Sequence, residues 1–201
     1  MNKKLNIVFL LDRSGSMRGS EYDTIEGYNS YLKEQRKNNA FITTVLFDDQ
    51  YEILHKNKNI KEVKYLSPNK YFVRGCTALY DAIGKTINMV AKEVKNEKVL
   101  FIITTDGLEN ASQKFDKRKI SELIKKHFNW EFIYIGANID SYEEASAIGI
   151  KSKNTANYSK SRKGIDKLFK CMCLLSDSFY EEEEININWK EDIEKEVEKE
   201  F

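Results

Sequence analysis

A chain of 201 residues is long enough for one sizeable domain and short for two. Its 33 Lys and Arg nearly balance 32 Asp and Glu, so a net charge of +1 gives no overall pull toward nucleic acid or an anionic membrane. Apolar residues make up 41%, as in globular chains, and no run nears the roughly 18 apolar residues of a membrane helix, so a soluble, cytoplasmic protein is expected.

The first apolar run, Leu5–Leu11, follows Lys3 and Lys4 and imitates the start of a signal peptide. It stops at Asp12, too soon for a secretory core and with no small-residue cleavage site after it, so it reads as a buried strand. Tyr22, Ile25, Tyr28 and Leu32 recur at helical spacing, and helix packing is the expected role of Tyr22, Tyr28 and Tyr31. Strands at Phe41–Phe47 and Tyr51–His55 are separated only by Asp48-Asp49-Gln50, which predicts a hairpin and an antiparallel third strand.

Leu79, Ile83, Ile87, Val90 and Val94 form one apolar stripe of a second helix. The continuous run Val99–Thr105 predicts another central strand, followed by a helix through Ile120, Leu123, Ile124 and His127 and a strand at Phe132–Gly136. A last helix is expected from about Arg162 to Leu175, through Ile165, Leu168, Phe169 and Met172. This alternation specifies an α/β chain, a doubly wound three-layer sandwich with a mostly parallel sheet and one antiparallel edge strand.

With one proline and no Gly/Ser linker, the sequence shows no internal boundary before the charge changes near its end. From Glu181 to Phe201 there are ten acidic residues against three lysines, which leaves the rest of the chain at +8. We therefore divide the chain into residues 1–178, the folded domain, and 179–201, an acidic tail or helix whose default role is a solvated surface. The scattered basic residues Lys151, Lys153, Lys160, Arg162 and Lys163 receive the same default reading. Cys76, Cys171 and Cys173 are odd in number and lack CxxC spacing, which suits free thiols in a reducing compartment.

The chemistry gathers where strands end. The first strand runs into Asp12-Arg13-Ser14-Gly15-Ser16, and the later central strand runs into Thr105-Asp106-Gly107. Gly75-Cys76-Thr77 supplies a third loop just before the second helix. In a doubly wound sheet these loops share one edge. Two carboxylates offset the charge of a hard divalent ion, hydroxyls add oxygen donors without further charge, and Gly15 lets the chain turn between the serines. No histidine, and only Cys76 among the cysteines, lies near in sequence, which argues against zinc. An isolated Asp or Ser at a strand end is often only a helix cap, but five such residues in three loops are not explained that way. Asp81 and Glu109 are left out of the ligand set, because Asp81 belongs to a first helical turn, where acids favour the dipole.

Asp12-Arg13-Ser14-Gly15-Ser16 resembles the Asp-x-Ser-x-Ser signature of von Willebrand factor A domains. Thr77 and Thr105-Asp106-Gly107 resemble the other two parts of that family's metal-ion-dependent adhesion site, and Thr77–Ile83 looks like the compact bacterial and phage versions. The similarity spans roughly residues 5 to 175. It implies a six-stranded sheet of order 3-2-1-4-5-6 and Mg²⁺, with Mn²⁺ or Ca²⁺ possible, held by Asp12, Ser14, Ser16, Thr77 and Asp106. It further implies a non-enzymatic protein-binding module whose metal receives a Glu or Asp carboxylate from a partner. One departure is Arg74, where many relatives carry glycine; it stands to alter access to the metal or to add a cation beside it.

Two other readings fit the residues less well. A Mg²⁺-dependent phosphohydrolase of the haloacid-dehalogenase kind would need a second Asp two residues after the first, and Ser14 stands there. RNA or ribonucleoprotein binding has some support in the basic body, but no aromatic RNA motif accompanies it, so nucleic acid is not the expected partner. Occupation of the metal site by the acidic tail is a further possibility that the composition raises.

Overall fold

The continuous apolar runs become a twisted six-stranded sheet in a computed structural model that describes residues 4–95, 97–137, 140–181, 185 and 187–200. Strand β1 (Leu5–Asp12) lies at its centre, flanked by β2 (Ala40–Phe47) and β4 (Val99–Thr105), both parallel to it. Beyond β2 lies antiparallel β3 (Tyr51–Asn59), and beyond β4 lie β5 (Glu131–Gly136) and β6 (Thr155–Asn157), giving the order β3-β2-β1-β4-β5-β6. The α/β sandwich and the antiparallel edge strand are as the sequence pattern implied.

Every residue of β1 is buried, because helices cover both sheet faces. Leu5, Ile7, Phe9 and Leu11 pack against α1 (Glu21–Gln35) and α5 (Arg162–Glu181), while Val8 and Leu10 face α2 (Leu79–Glu93) and α3 (Lys117–Lys126). This alternation splits the core into two clusters, one per face. Close packing of α1 on α5 depends on Gly27, where an added Cβ would lie 2.1 Å from a ring carbon of Phe169. Tyr28 and Tyr31 are fully buried in this layer and Tyr22 is exposed, so the tyrosines divide between packing and surface.

Three features differ from the sequence pattern. The strand β6 and the short helix α4 (Ser141–Ala147) were not legible, since three and seven residues are too few for a period to show. Helix α5 runs past Leu175 to Glu181, through the position where the composition changes. The later acidic segment forms a short turn and α6 (Glu191–Val197), from which Trp189 and Ile193 join the core cluster beside α5. Trp189 Nε1 donates to Lys153 O, and Lys190 Nζ donates to the carbonyls of Ser152 and Thr155 next to edge strand β6. Residues 182–184 of the acidic run lie outside the described residues.

Candidate metal centre

The site lies beyond the carboxyl ends of β1 and β4, on the edge where doubly wound sheets hold ligands. The β1–β4 register pairs Leu11 with Thr104, so Asp12 comes beside Thr105, whose Oγ1 donates to Asp12 Oδ2 at 2.6 Å. The other carboxylate oxygen, Oδ1, accepts the backbone N–H of Ser14 at 2.7 Å, an Asx-type turn that swings the chain out of the strand. A 3-10 turn over Gly15–Met17 then sets the two serine hydroxyls 3.0 Å apart, and Ser16 Oγ donates to Asp106 Oδ1 at 2.5 Å.

The third loop is fastened to both of the others. Gly15 N donates to Gly75 O, Arg74 N donates to Arg13 O, and Tyr71 donates its hydroxyl to the carbonyl of Asp12. Thr77 exchanges backbone contacts with Asn110, whose side-chain oxygen accepts from Thr77 N and whose N–H donates to Thr77 O. Gly107 marks the centre of the cluster: a Cβ there would lie 3.1 Å from Thr77 Oγ1 and 3.2 Å from Ser16 Oγ. All five residues singled out in the sequence therefore come together from three loops.

Electrostatics at this point are unbalanced. Asp12 and Asp106 are both buried, at 1% and 4% exposure. Burial pushes the Asp12 carboxyl up to about 6 despite the hydrogen bonds from Thr105 and Ser14, and the nearby charge of Asp106 adds to the rise. Asp106 Oδ2 is buried and has no hydrogen-bond donor. Among the described residues, the cation paired with it is the Lys160 ammonium, 2.6 Å away but outside hydrogen-bond alignment. A buried carboxylate oxygen met only by a flexible lysine among the described residues, hydroxyls beside it and a glycine whose Cβ would press on them together suit a cation with oxygen ligands. Among the described residues no group of three or more His, Cys, Asp or Glu side chains is arranged to hold a metal.

Several residues near the centre have structural roles. Glu109 accepts from Tyr80 N, Ala111 N and Ser112 N, and Asp81 accepts from Lys114 N and Phe115 N, so both carboxylates hold loops rather than face the centre. Arg74 is turned away: its Nε lies on Asp48 Oδ2 at 2.7 Å and its Nη2 donates to Gln50. The cation beside the site is instead Lys160, which the composition had left in a solvated basic stretch. Asp48, read as hairpin chemistry, caps Gln50 N but also pairs with Arg13 Nε at 3.0 Å, both side chains being fully buried. Neither role had a local signal, because both depend on loops far apart in sequence.

The model of the von Willebrand factor type A domain matches residues 6–170. The chain belongs to this family. No curated protein sequence matches it, whereas many solved structures do. Proximal thread matrix protein 1 from the mussel byssus, in a structure with a zinc-occupied MIDAS motif, is 16% identical with a TM-score of 0.63, over 87% of this chain and 46% of that one. The pilus adhesin SpaC from Lactobacillus rhamnosus GG is 12% identical with a TM-score of 0.70, over 89% and 30%. Manganese-loaded TRAP protein of Plasmodium vivax is 19% identical with a TM-score of 0.58, over 79% and 70%. At these identities the likeness concerns the fold, and the von Willebrand factor A chain described here spans less than half the length of the mussel and Lactobacillus proteins. No helix among its described residues is long and apolar enough to cross a membrane.

Proposed function

We propose that this von Willebrand factor A domain binds one divalent cation through Asp12, Ser14, Ser16, Thr77 and Asp106 and uses it to grip a partner protein. The observation that carries this reading is the buried Asp106 Oδ2, whose charge is met among the described residues only by the flexible Lys160 side chain, in a cluster of hydroxyls and carboxylates from three loops. Such a cation would supply a positive centre with an exchangeable position, open to a Glu or Asp carboxylate of the partner. Asp12 and Asp106 would offset its charge, and the serine and threonine hydroxyls would complete the oxygen set without adding charge.

Mg²⁺ is the expected ion, since near-octahedral oxygen coordination with retained waters fits a site of few protein carboxylates, with Mn²⁺ and Ca²⁺ as alternatives. The mussel protein's motif holds zinc, so the lack of Cys and His donors does not exclude zinc here, and it belongs in the titration. The proposed role is binding rather than catalysis. The adhesin and matrix proteins among the structural neighbours support it, as does a donor set without an evident nucleophile. The three free thiols support placement in a reducing compartment such as the cytoplasm.

The test is a calorimetric titration of Mg²⁺ into metal-stripped wild type and Asp12→Ala, followed by capture of partners from lysate with and without EDTA. Saturable one-site binding lost in the variant, with a protein retained only when metal is present, is the expected result. Absence of metal binding in the wild type would overturn it.

A further inference from the structure

Lys160 reaches the centre from the far edge of the sheet. It follows β6 and precedes α5, in a loop held on several sides. Tyr158 N donates to Gly136 O, Ser161 N donates to Ser159 Oγ, and Gly164 N donates to Ser161 Oγ. At Gly164 an added Cβ would lie 2.2 Å from Ser159 O, so the loop is pressed directly onto the start of α5. The backbone is thus fixed, and only the side chain of Lys160, 22% exposed, extends to the site. Its Nζ donates to Ser16 O at 2.5 Å and lies 2.6 Å from Asp106 Oδ2. Both contacts fall on residues of the proposed cation-binding set.

We propose that Lys160 is a tethered counter-ion that competes with the divalent cation for Asp106 and thereby sets the metal affinity of the site. This rests on the reading of the cluster as a cation site. The ammonium and a divalent ion repel each other over a few ångströms in a partly buried setting, where such interactions are far stronger than in bulk water. Metal entry therefore requires the side chain to release Asp106 Oδ2 and swing toward solvent, which its long flexible stem and partial exposure permit. In the metal-free protein the same ammonium compensates a buried carboxylate that otherwise has no donor on Oδ2. Lys160 weakens metal binding and stabilises the empty state through one contact.

The experiment compares metal-stripped wild type, Lys160→Met, Lys160→Arg and Asp12→Ala by Mg²⁺ calorimetry, together with melting curves in EDTA and in Mg²⁺. Lys160→Met should bind Mg²⁺ at least about tenfold more tightly than wild type, which corresponds to about 1.4 kcal/mol. It should also melt lower than wild type in EDTA and gain more on addition of Mg²⁺. Lys160→Arg keeps the charge and should stay within a fewfold of wild type. Equal or weaker Mg²⁺ binding by a folded Lys160→Met protein, with wild type still binding, overturns the role of Lys160 and leaves the metal site standing. No binding by either protein overturns both. Binding by Lys160→Met alone would overturn the proposed function of the native chain while upholding the competition of Lys160 for the site.

Discussion

Buried carboxylates lie in two places on the same edge of the sheet, Asp48 in one and Asp12 with Asp106 in the other, and they are neutralised in opposite ways. Asp48 has two guanidinium groups on one oxygen, those of Arg13 and Arg74, and its other oxygen caps Gln50 N. Arg13 is fully buried and reaches Glu52 as well, so this charge is balanced permanently by rigid donors. Asp12 and Asp106 instead face hydroxyls, backbone and one long flexible lysine. The first arrangement fastens loops together. The second leaves negative charge that an exchangeable cation can answer, and a binding site requires that incompleteness.

The strongest way to break this contrast is to remove the permanent partner. Arg13→Met should lower stability by about 3–5 kcal/mol, whether or not metal is present, because it strips the buried partner from a buried charge. Urea denaturation in EDTA and in Mg²⁺ checks it, and a loss below about 1 kcal/mol would mean that Arg74 alone suffices.

Gly107→Ala probes the other group. The new methyl would press on Thr77 Oγ1 and Ser16 Oγ, so Mg²⁺ affinity should fall on the order of tenfold, about 1.4 kcal/mol, with a smaller change in folding stability. Unchanged affinity in calorimetry would move the ion away from these hydroxyls.

Asp12→Asn should act with the opposite sign to Arg13→Met in metal-free protein, leaving stability unchanged or raised by about 1 kcal/mol while abolishing metal binding. Its pH signature is specific. The folded Asp12 carboxyl titrates near 6 against 3.8 for the ordinary group, so the native state holds the proton longer than the unfolded chain. The contribution of Asp12 therefore makes the metal-free protein less stable as pH rises from about 4 to about 6, and level above that. The stability difference between Asp12→Asn and wild type in EDTA should widen across that window; a flat difference would contradict it.

A buried group outside both clusters sharpens the comparison. Burial lowers the His55 imidazole from 6.5 to about 4, with Lys58 adding to the shift. Here the unfolded chain binds the extra proton, so this contribution is complete above pH 6.5 and is lost as pH falls toward 4. His55→Gln should flatten that slope in denaturation curves, opposite in direction to the slope that Asp12 imposes.

The parts of the molecule legible in the sequence are those set by local pattern. Runs such as Leu5–Leu11 and Val99–Thr105 require a sheet covered on both faces, and the stripe from Leu79 to Val94 requires a helix packed on one side. Hydroxyls and carboxylates directly after two such strands, with a third hydroxyl in the loop before α2, pointed to one sheet edge, and the resemblance to von Willebrand factor A domains named Asp12, Ser14, Ser16, Thr77 and Asp106 as the set. The sequence alone thus determined the layer architecture and the sheet edge at which these hydroxyls and carboxylates meet. Charge partnership was decided only by the tertiary structure. Asp48 meets Arg13 and Arg74, and Lys160 crosses from the end of β6 to Asp106, through contacts between residues 26 to 54 positions apart. Long side chains on separate loops carry no periodicity that ties them together, so their pairing appears only when the sheet sets the loops side by side.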